Sequence, residues 1–188
     1  MDLTAQEKRS SVNTQATMLV RRRFLSSVAA RDELTFIAFK PDALNRGCLS
    51  ELMGRFERRG LQLRALKLLV PSRALAEQHY DQHRERDFFS TACAFISSGP
   101  VVASAWQGRH AVQVCRSMIG PMGPSSASPD APLPVPGTIR GDYSLHWRRN
   151  LIHGSDSVEA AERELALWFS PHEIVSWQRG IEPWVHEL

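Results

Sequence analysis

Asn150-Leu-Ile-His153-Gly-Ser-Asp156-Ser157-Val-Glu159 carries the strongest chemical signal in this chain of 188 residues. Asp156 followed by Glu159, just ahead of Val158, Ala161, Leu165, Trp168 and Phe169 at helical spacing, reads as a capping-box-like helix start. That start predicts His153 immediately before a helix N-terminus, the positive end of the helix dipole. The dipole favours neutral imidazole, which is nucleophilic, and would stabilise an anion held on it. Gly154 beside it leaves room for close ligand approach. A nucleophilic histidine also needs its second ring nitrogen held, usually by a carboxylate. On the helix that follows, Glu162 and Glu164 both flank the apolar face, on opposite sides, while Glu159 points away. Helical arithmetic leaves those two open.

Upstream of this segment, Pro121 to Pro136 holds six of the 11 prolines and cannot be regular structure. It reads as a partly stiff, exposed loop. Before it, Leu34–Phe39 is a β-rich run closed by Lys40-Pro41-Asp42. Leu49, Leu52, Met53 and Phe56 mark a helix face with a Gly60 stop. Leu61–Val70 alternates and then shifts phase, as a bulged strand would. Ser72 is placed to cap a helix running to about His83. Phe88–Ser97 and Arg109–Ile119 read as helices around a Val101–Trp106 strand, and Pro171 starts a last short helix. This order, β-α-β-α-α-β-α and then a long loop and a helix, fits an α+β sandwich.

Composition agrees with a globular chain: 43% apolar and 23% charged residues, with no apolar run long enough for a membrane helix. Cys48, Cys93 and Cys115 form no C-x-x-C and sit among apolar neighbours, so buried reduced thiols are expected in place of a disulfide framework or a zinc site. The net charge of +3 is uneven. Residues 1–31 hold six cations against two acids, and the remainder is close to neutral. A globally basic nucleic-acid surface is therefore unsupported, and nucleic acid is not an expected partner. Residues 1–31 read as a disordered basic leader. Met18-Leu-Val-Arg-Arg-Arg-Phe-Leu-Ser-Ser-Val-Ala-Ala-Arg31 fits a mitochondrial transit peptide, with a plain basic tail on a cytoplasmic protein as the alternative.

No glycine-rich phosphate loop of either common type is present, so any phosphate must be held by side chains. Lys40, one of few lysines, sits at a strand end that Pro41 keeps extended. Arg116 lies late on a helix, and Arg140 stands between glycines in Gly137-Thr-Ile-Arg-Gly141, suited to bidentate phosphate contact. His79-Tyr80 and the adjacent Phe88-Phe89 complete the candidates. Two neighbouring phenylalanines cannot both face one core, so one is free to stack on a base.

In this order the segments resemble the nucleoside diphosphate kinase family, from about Leu34 to Glu187. The resemblance is carried by Phe39-Lys-Pro-Asp42, Arg55-Phe-Glu-Arg-Arg-Gly60, His79-Tyr80, Ser97-Ser-Gly-Pro-Val-Val102, Pro136-Gly-Thr-Ile-Arg-Gly-Asp142 and Asn150-Leu-Ile-His-Gly-Ser-Asp-Ser157. It implies a ferredoxin-like α+β sandwich over residues 32–188, with a four-stranded antiparallel sheet covered by helices. It implies ping-pong transfer of a γ-phosphate from a nucleoside triphosphate to a nucleoside diphosphate through phosphohistidine at His153. Mg2+ would bridge the phosphates without dedicated protein ligands. The site residues it implies are His153 with Glu164 as its orienting carboxylate, Ser155 supporting that carboxylate and Tyr80 beside the histidine. Lys40, Arg116 and Arg140 would bind phosphate, Asn150 would contact ribose, and Phe88 would stack on the base. A homo-oligomer, hexamer or tetramer, is implied, and Trp184-Val-His-Glu187 resembles the family's tail.

Two departures stand out. Gly120 and Gly137 lie further apart than is usual, so the proline loop is an insertion. By direct count Met122 replaces the family's phosphate-contacting threonine, with Ser125 or Ser126 as candidate substitutes. These departures motivate a second reading, a kinase-like fold of weak activity that acts mainly as an interaction module.

Overall fold

The computed structural model describes residues 32–123, 130, 133–180 and 182–185. The leader and Ser125 and Ser126 lie outside the described residues.

The sheet is built from β1 (Asp32–Phe39), β2 (Gln62–Leu69), β3 (Val101–Arg109) and β4 (Ile152–Gly154), in spatial order β2-β3-β1-β4. β1 pairs antiparallel with β4, and β2 with β3. This is the ferredoxin-like arrangement, four antiparallel strands with helical crossovers. The helices are α1 (Pro41–Asn45), α2 (Leu49–Arg58), α3 (Arg73–His79), α4 (Phe89–Ile96), α5 (Ala111–Ile119), α6 (Ile139–Tyr143), α7 (Val158–Trp168) and α8 (Glu182–Val185). Among the described residues no helix is long and apolar enough to cross a membrane.

Period-two alternation in β1 divides the interior in two. Ile37 and Phe39 face one core, with Leu52 and Phe56 of α2 and Cys115 and Ile119 of α5. Phe36 and Ala38 face the other, with Ala76 of α3, Cys93 and Ile96 of α4, and Leu165 and Trp168 of α7. The sheet is thus covered on both sides. Each fully buried large apolar side chain contributes about 1.5–3 kcal/mol relative to exposure. The phase shift in β2 is real: its register against β3 slips between Leu63 and Ala65. The extra residue, Arg64, accepts from the Val175 amide and donates its Nε to the same residue's carbonyl, tying the C-terminal segment to the edge strand.

Several expected boundaries move. The Ser72-capped helix ends at His79, followed by a separate 3-10 turn over Asp81–His83. β3 extends to Arg109, so α5 starts at Ala111 after His110 takes a left-handed conformation. Val158, placed by period on the apolar face of α7, is 43% exposed. The cap of α7 is Ser157, whose hydroxyl accepts from the Ala160 amide at 3.0 Å, so the expected Asp156–Glu159 box lies one residue off. His153 is four residues ahead of the Ser157 cap, not immediately before the helix. It sits on β4, opposite Ala38, where side chains of an antiparallel pair share a face.

Candidate functional site

Three constraints hold the segment that carries His153. The Lys40 amide donates to the Leu151 carbonyl at 2.8 Å, and the Leu151 amide donates to Asp42 Oδ2 at 2.9 Å. Leu151 itself has φ 63°, an uncommon left-handed leucine that turns the chain sharply into β4. Gly154 then packs its backbone against the core. A Cβ there would come within 2.5 Å of Ile119 Cδ1 and 3.0 Å of Ile37 Cδ1. The glycine therefore serves interior packing, and it also lines the pocket beside His153.

His153 Nε2 lies 2.9 Å from Glu164 Oε1. The Ser155 hydroxyl donates to the other carboxylate oxygen at 2.6 Å. The choice between Glu162 and Glu164 is thereby resolved by packing: Glu164 is buried with Leu165 and Trp168, and Glu162 faces solvent. Burial raises the Glu164 pKa, but the neighbouring His153, His79 and Ser155 outweigh it and bring the carboxyl down to about 2. Glu164 is therefore ionised at neutral pH. An ionised carboxylate accepts a hydrogen bond from Nε2–H and so leaves the Nδ1 lone pair free. Behind this pair His79 is 1% exposed, its Nδ1 accepting from Trp168 Nε1 at 3.2 Å. Its ring packs edge-on against His153 at 4.4 Å. Burial holds His79 well below the ordinary histidine value, so it is neutral.

An open pocket of about 280 Å3 brings together nearly every residue singled out in the sequence: His153, Glu164, Lys40, Tyr80, Phe88, Arg116, Arg140 and Asn150. Ser155 stands behind it, reaching the site through Glu164. Lys40 is 6% exposed, with extended backbone ahead of Pro41 at the start of α1, and its ammonium donates to Asn150 Oδ1. Burial lowers its pKa from 10.5 to about 7, partly offset by Asp42 and reinforced by Arg140 and Arg149. Arg140 is buried, donating to the Gly120 carbonyl at 2.9 Å and to the Ile152 carbonyl at 3.2 Å. Its Nε is buried without a partner. Burial and nearby Arg116 lower it to about 10. Arg116 is exposed, with one guanidinium nitrogen 3.4 Å from the Gly154 carbonyl.

The Gly137–Gly141 turn that delivers Arg140 is built locally. Thr138 caps α6 by accepting from the Gly141 amide at 3.0 Å. Gly141 lies so close to the Val135 carbonyl that a Cβ would be 1.9 Å from its oxygen. Asp142 clamps the turn through the Gly137 amide at 2.7 Å and Arg55 at 2.6 Å. Phe88 and Phe89 are both half-buried at the start of α4, neither of them exposed; Phe88 lines the pocket beside His83 at 5.3 Å, and Phe89 packs on the core. Met122, 49% exposed, also lines the pocket.

Sequence reasoning did not single out Trp147, Arg148, Arg149, His83 or Phe95, all of which line the pocket. The Arg148-Arg149 pair directly before Asn150 was the available signal.

Clustered cations around an oriented imidazole, beside a half-buried aromatic ring, suit a nucleotide with its phosphates against the histidine. Comparison with known proteins agrees. A family model described as nucleoside diphosphate kinase matches residues 33–174. A nucleoside diphosphate kinase from Synechococcus elongatus is 50% identical over 155 residues, covering 82% of this chain and 99% of the relative. One from Schizosaccharomyces pombe is 48% identical over 155 residues, covering 82% and 98%. Among solved structures, a family protein from Babesia bovis aligns with TM-score 0.74 at 39% identity, over 82% of this chain and 99% of that one. A halophilic nucleoside diphosphate kinase from Halobacterium salinarum, in complex with CDP, aligns with TM-score 0.74 at 40% identity, over 83% and 99%. With a fold, a match and an identity that all extend over nearly the whole described chain, the protein belongs to the nucleoside diphosphate kinase family.

Proposed function

We infer that the protein is a nucleoside diphosphate kinase working by a ping-pong mechanism through His153. The carrying observation is the Glu164–His153 contact at 2.9 Å in a pocket ringed by Lys40, Arg116 and Arg140. In the first half-reaction the Nδ1 lone pair attacks the γ-phosphorus. The bond from that phosphorus to its bridging oxygen breaks, and the nucleoside diphosphate leaves. In the second, a different nucleoside diphosphate attacks the phosphohistidine through its terminal oxygen and departs as the triphosphate. Glu164 holds the Nε2 proton and balances the positive charge the ring develops; Ser155 holds Glu164. The transition state spreads negative charge over the phosphoryl oxygens, so fixed cations lower the barrier without reorganising.

Lys40, Arg116 and Arg140 serve as the phosphate clamp. The unpartnered Nε of Arg140 supports that role, since an acceptor is missing there. Tyr80, packed beside His79 and 6.3 Å from the His153 ring, shapes the wall of the nucleophile. Asn150 contacts the ribose and Phe88 stacks on the base. A π-face does not read base edges, so broad base tolerance follows. Mg2+ enters with the nucleotide. Of the two carboxylates on the pocket wall, buried Glu164 is committed to His153 and Ser155 and Asp156 is exposed, so Mg2+ bound with the nucleotide would take its hard oxygen ligands chiefly from phosphate and water and would neutralise phosphate charge.

The oligomer reading is supported by Leu66, Leu68 and Val70, exposed at 51%, 67% and 65% along and just past the edge strand β2, and by exposed Trp184. A contiguous apolar edge of this kind favours a covered one. Native mass measurement gives its size. The mitochondrial address remains a proposal resting on the basic leader alone, and sequencing the mature N-terminus from a cell fraction tests it.

The test of the function is phosphate exchange between Mg-ATP and GDP. The expected result is sustained turnover in the wild type and none above background in His153→Ala. Equal turnover in both would overturn the assignment.

A further inference from the structure

The chemistry described above leaves Phe95 and Arg149 without a role, although both line the pocket. Phe95 lies on α4 and is half-buried. The centroid of its ring is 4.0 Å from the Arg149 guanidinium carbon. The same centroid is 5.5 Å from the Lys40 ammonium nitrogen. The next residue after Arg149 is Asn150, whose side-chain oxygen accepts from Lys40, so one short segment makes both connections. One ring therefore supports a buried cation and an exposed one.

We propose that Phe95 is a positioning residue whose ring holds Lys40 and Arg149 at the pocket, and that Arg149 is a fourth cation facing the nucleotide's phosphates. The proposal rests on the phosphotransfer reading. Its physical basis is the choice of support. A carboxylate holding these cations would neutralise them and occupy the donors that phosphate needs. An aromatic ring attracts a cation through its quadrupole and carries no charge. A guanidinium lying on a ring keeps its N–H donors, which project from its edge in the plane of the group, free for an anion. Asp42, the acid beside Lys40, already spends one carboxylate oxygen on the Leu151 amide. Two cations brought together on an uncharged support, next to Arg140 and Arg116, call for a polyanion of several acceptor oxygens. The polyphosphate of a nucleotide has that chemistry. Arg148 is separate: it packs on Trp147, 4.6 Å from that ring's centroid.

Calorimetric titration with ADP tests this, using the full chain and the variants Arg149→Ala, Phe95→Leu, Phe95→Tyr and the double variant Phe95→Leu/Arg149→Ala. Arg149→Ala is expected to weaken ADP binding about tenfold, and Phe95→Leu by a similar factor. The double variant should lose less than the product of the two single losses, because the Phe95–Arg149 contact is common to both, while the Lys40 contact is lost only with Phe95. Phe95→Tyr should bind as the wild type does, since its ring face remains. A second readout is the pH profile of kcat/KM. Lys40 is faced by Asp42 from α1, Arg140 from α6, Arg149 and Asn150 ahead of β4, and the Phe95 ring from α4. Removing the Arg149 charge should move its alkaline limb upward. Unchanged ADP affinity in Arg149→Ala, additive losses in the double variant, or a Phe95→Tyr as weak as Phe95→Leu would each overturn the proposal. A wild type that binds ADP without phosphate exchange would instead overturn the kinase reading, leaving the binding comparison intact.

Discussion

Glu164 Oε1 stands 2.9 Å from His153 Nε2 while Glu164 Oε2 accepts from Ser155, so one buried carboxylate fixes both the tautomer and the tilt of the nucleophile. It also couples the site to stability. The folded carboxyl titrates at about 2, below its ordinary 4.5. A depressed acid contributes stability above the ordinary value and loses it as pH falls through the folded one. Glu164→Gln is therefore expected to lower stability at pH 7 by about 3 kcal/mol and to flatten the acid limb between roughly pH 4.5 and 2. Urea unfolding across that range checks it, and an acid limb as steep as the wild type's would refute the coupling.

Lys40 has the opposite balance. Burial lowers its pKa from 10.5 to about 7, so the folded protein carries a penalty that is full below about pH 7 and relieved as pH rises toward 10.5. Lys40→Met should cut phosphate exchange by a factor on the order of 100 or more, while its melting temperature at pH 7 stays level or rises. A parallel loss of activity and stability would make Lys40 a structural lysine. In the wild type, kcat/KM should decline above about pH 7 as free-enzyme Lys40 loses its proton.

Gly154 bears on packing behind the nucleophile. Because a Cβ would press on Ile119 and Ile37, Gly154→Ala should cost about 1–3 kcal/mol by overpacking and should displace His153. Thermal melts and exchange rates should fall together. An unaffected melting temperature would mean that the interior yields more than this geometry allows.

Met122 occupies pocket space without a hydrogen-bond donor. Met122→Thr should raise kcat/KM about tenfold if its hydroxyl reaches phosphate, the scale of one hydrogen bond to a charged group. No gain would place the lost threonine's work on another residue.

How much of this was legible follows from range in the sequence. Lys40, Arg140, Asn150 and His153 were readable because each lies in a short motif, whereas Arg116 showed only as a cation late on a helix. The bulge at Arg64 showed as a break in alternation, and the helices of both cores showed by period. β4 escaped a reading by residues because it is three residues long and follows a left-handed Leu151, leaving no alternation to count. That omission put His153 immediately before a helix N-terminus, with the dipole as its activator; the strand position instead gives it Glu164 across the face. Glu164 could not be separated from Glu162 by helical angle, since only tertiary packing buries one and leaves the other in water. Arg149 had a local signal in the Arg148-Arg149 pair, but its contact with Phe95 had none, because it joins α4 to the segment before β4, far apart in the chain.

The central claim is a phosphate carried on His153. Incubation with γ-labelled ATP and Mg2+, followed by denaturation, should leave the label on the wild-type protein in a form lost in acid and retained in base, with none on His153→Ala. Label of equal amount on His153→Ala, or an acid-stable linkage, would contradict it.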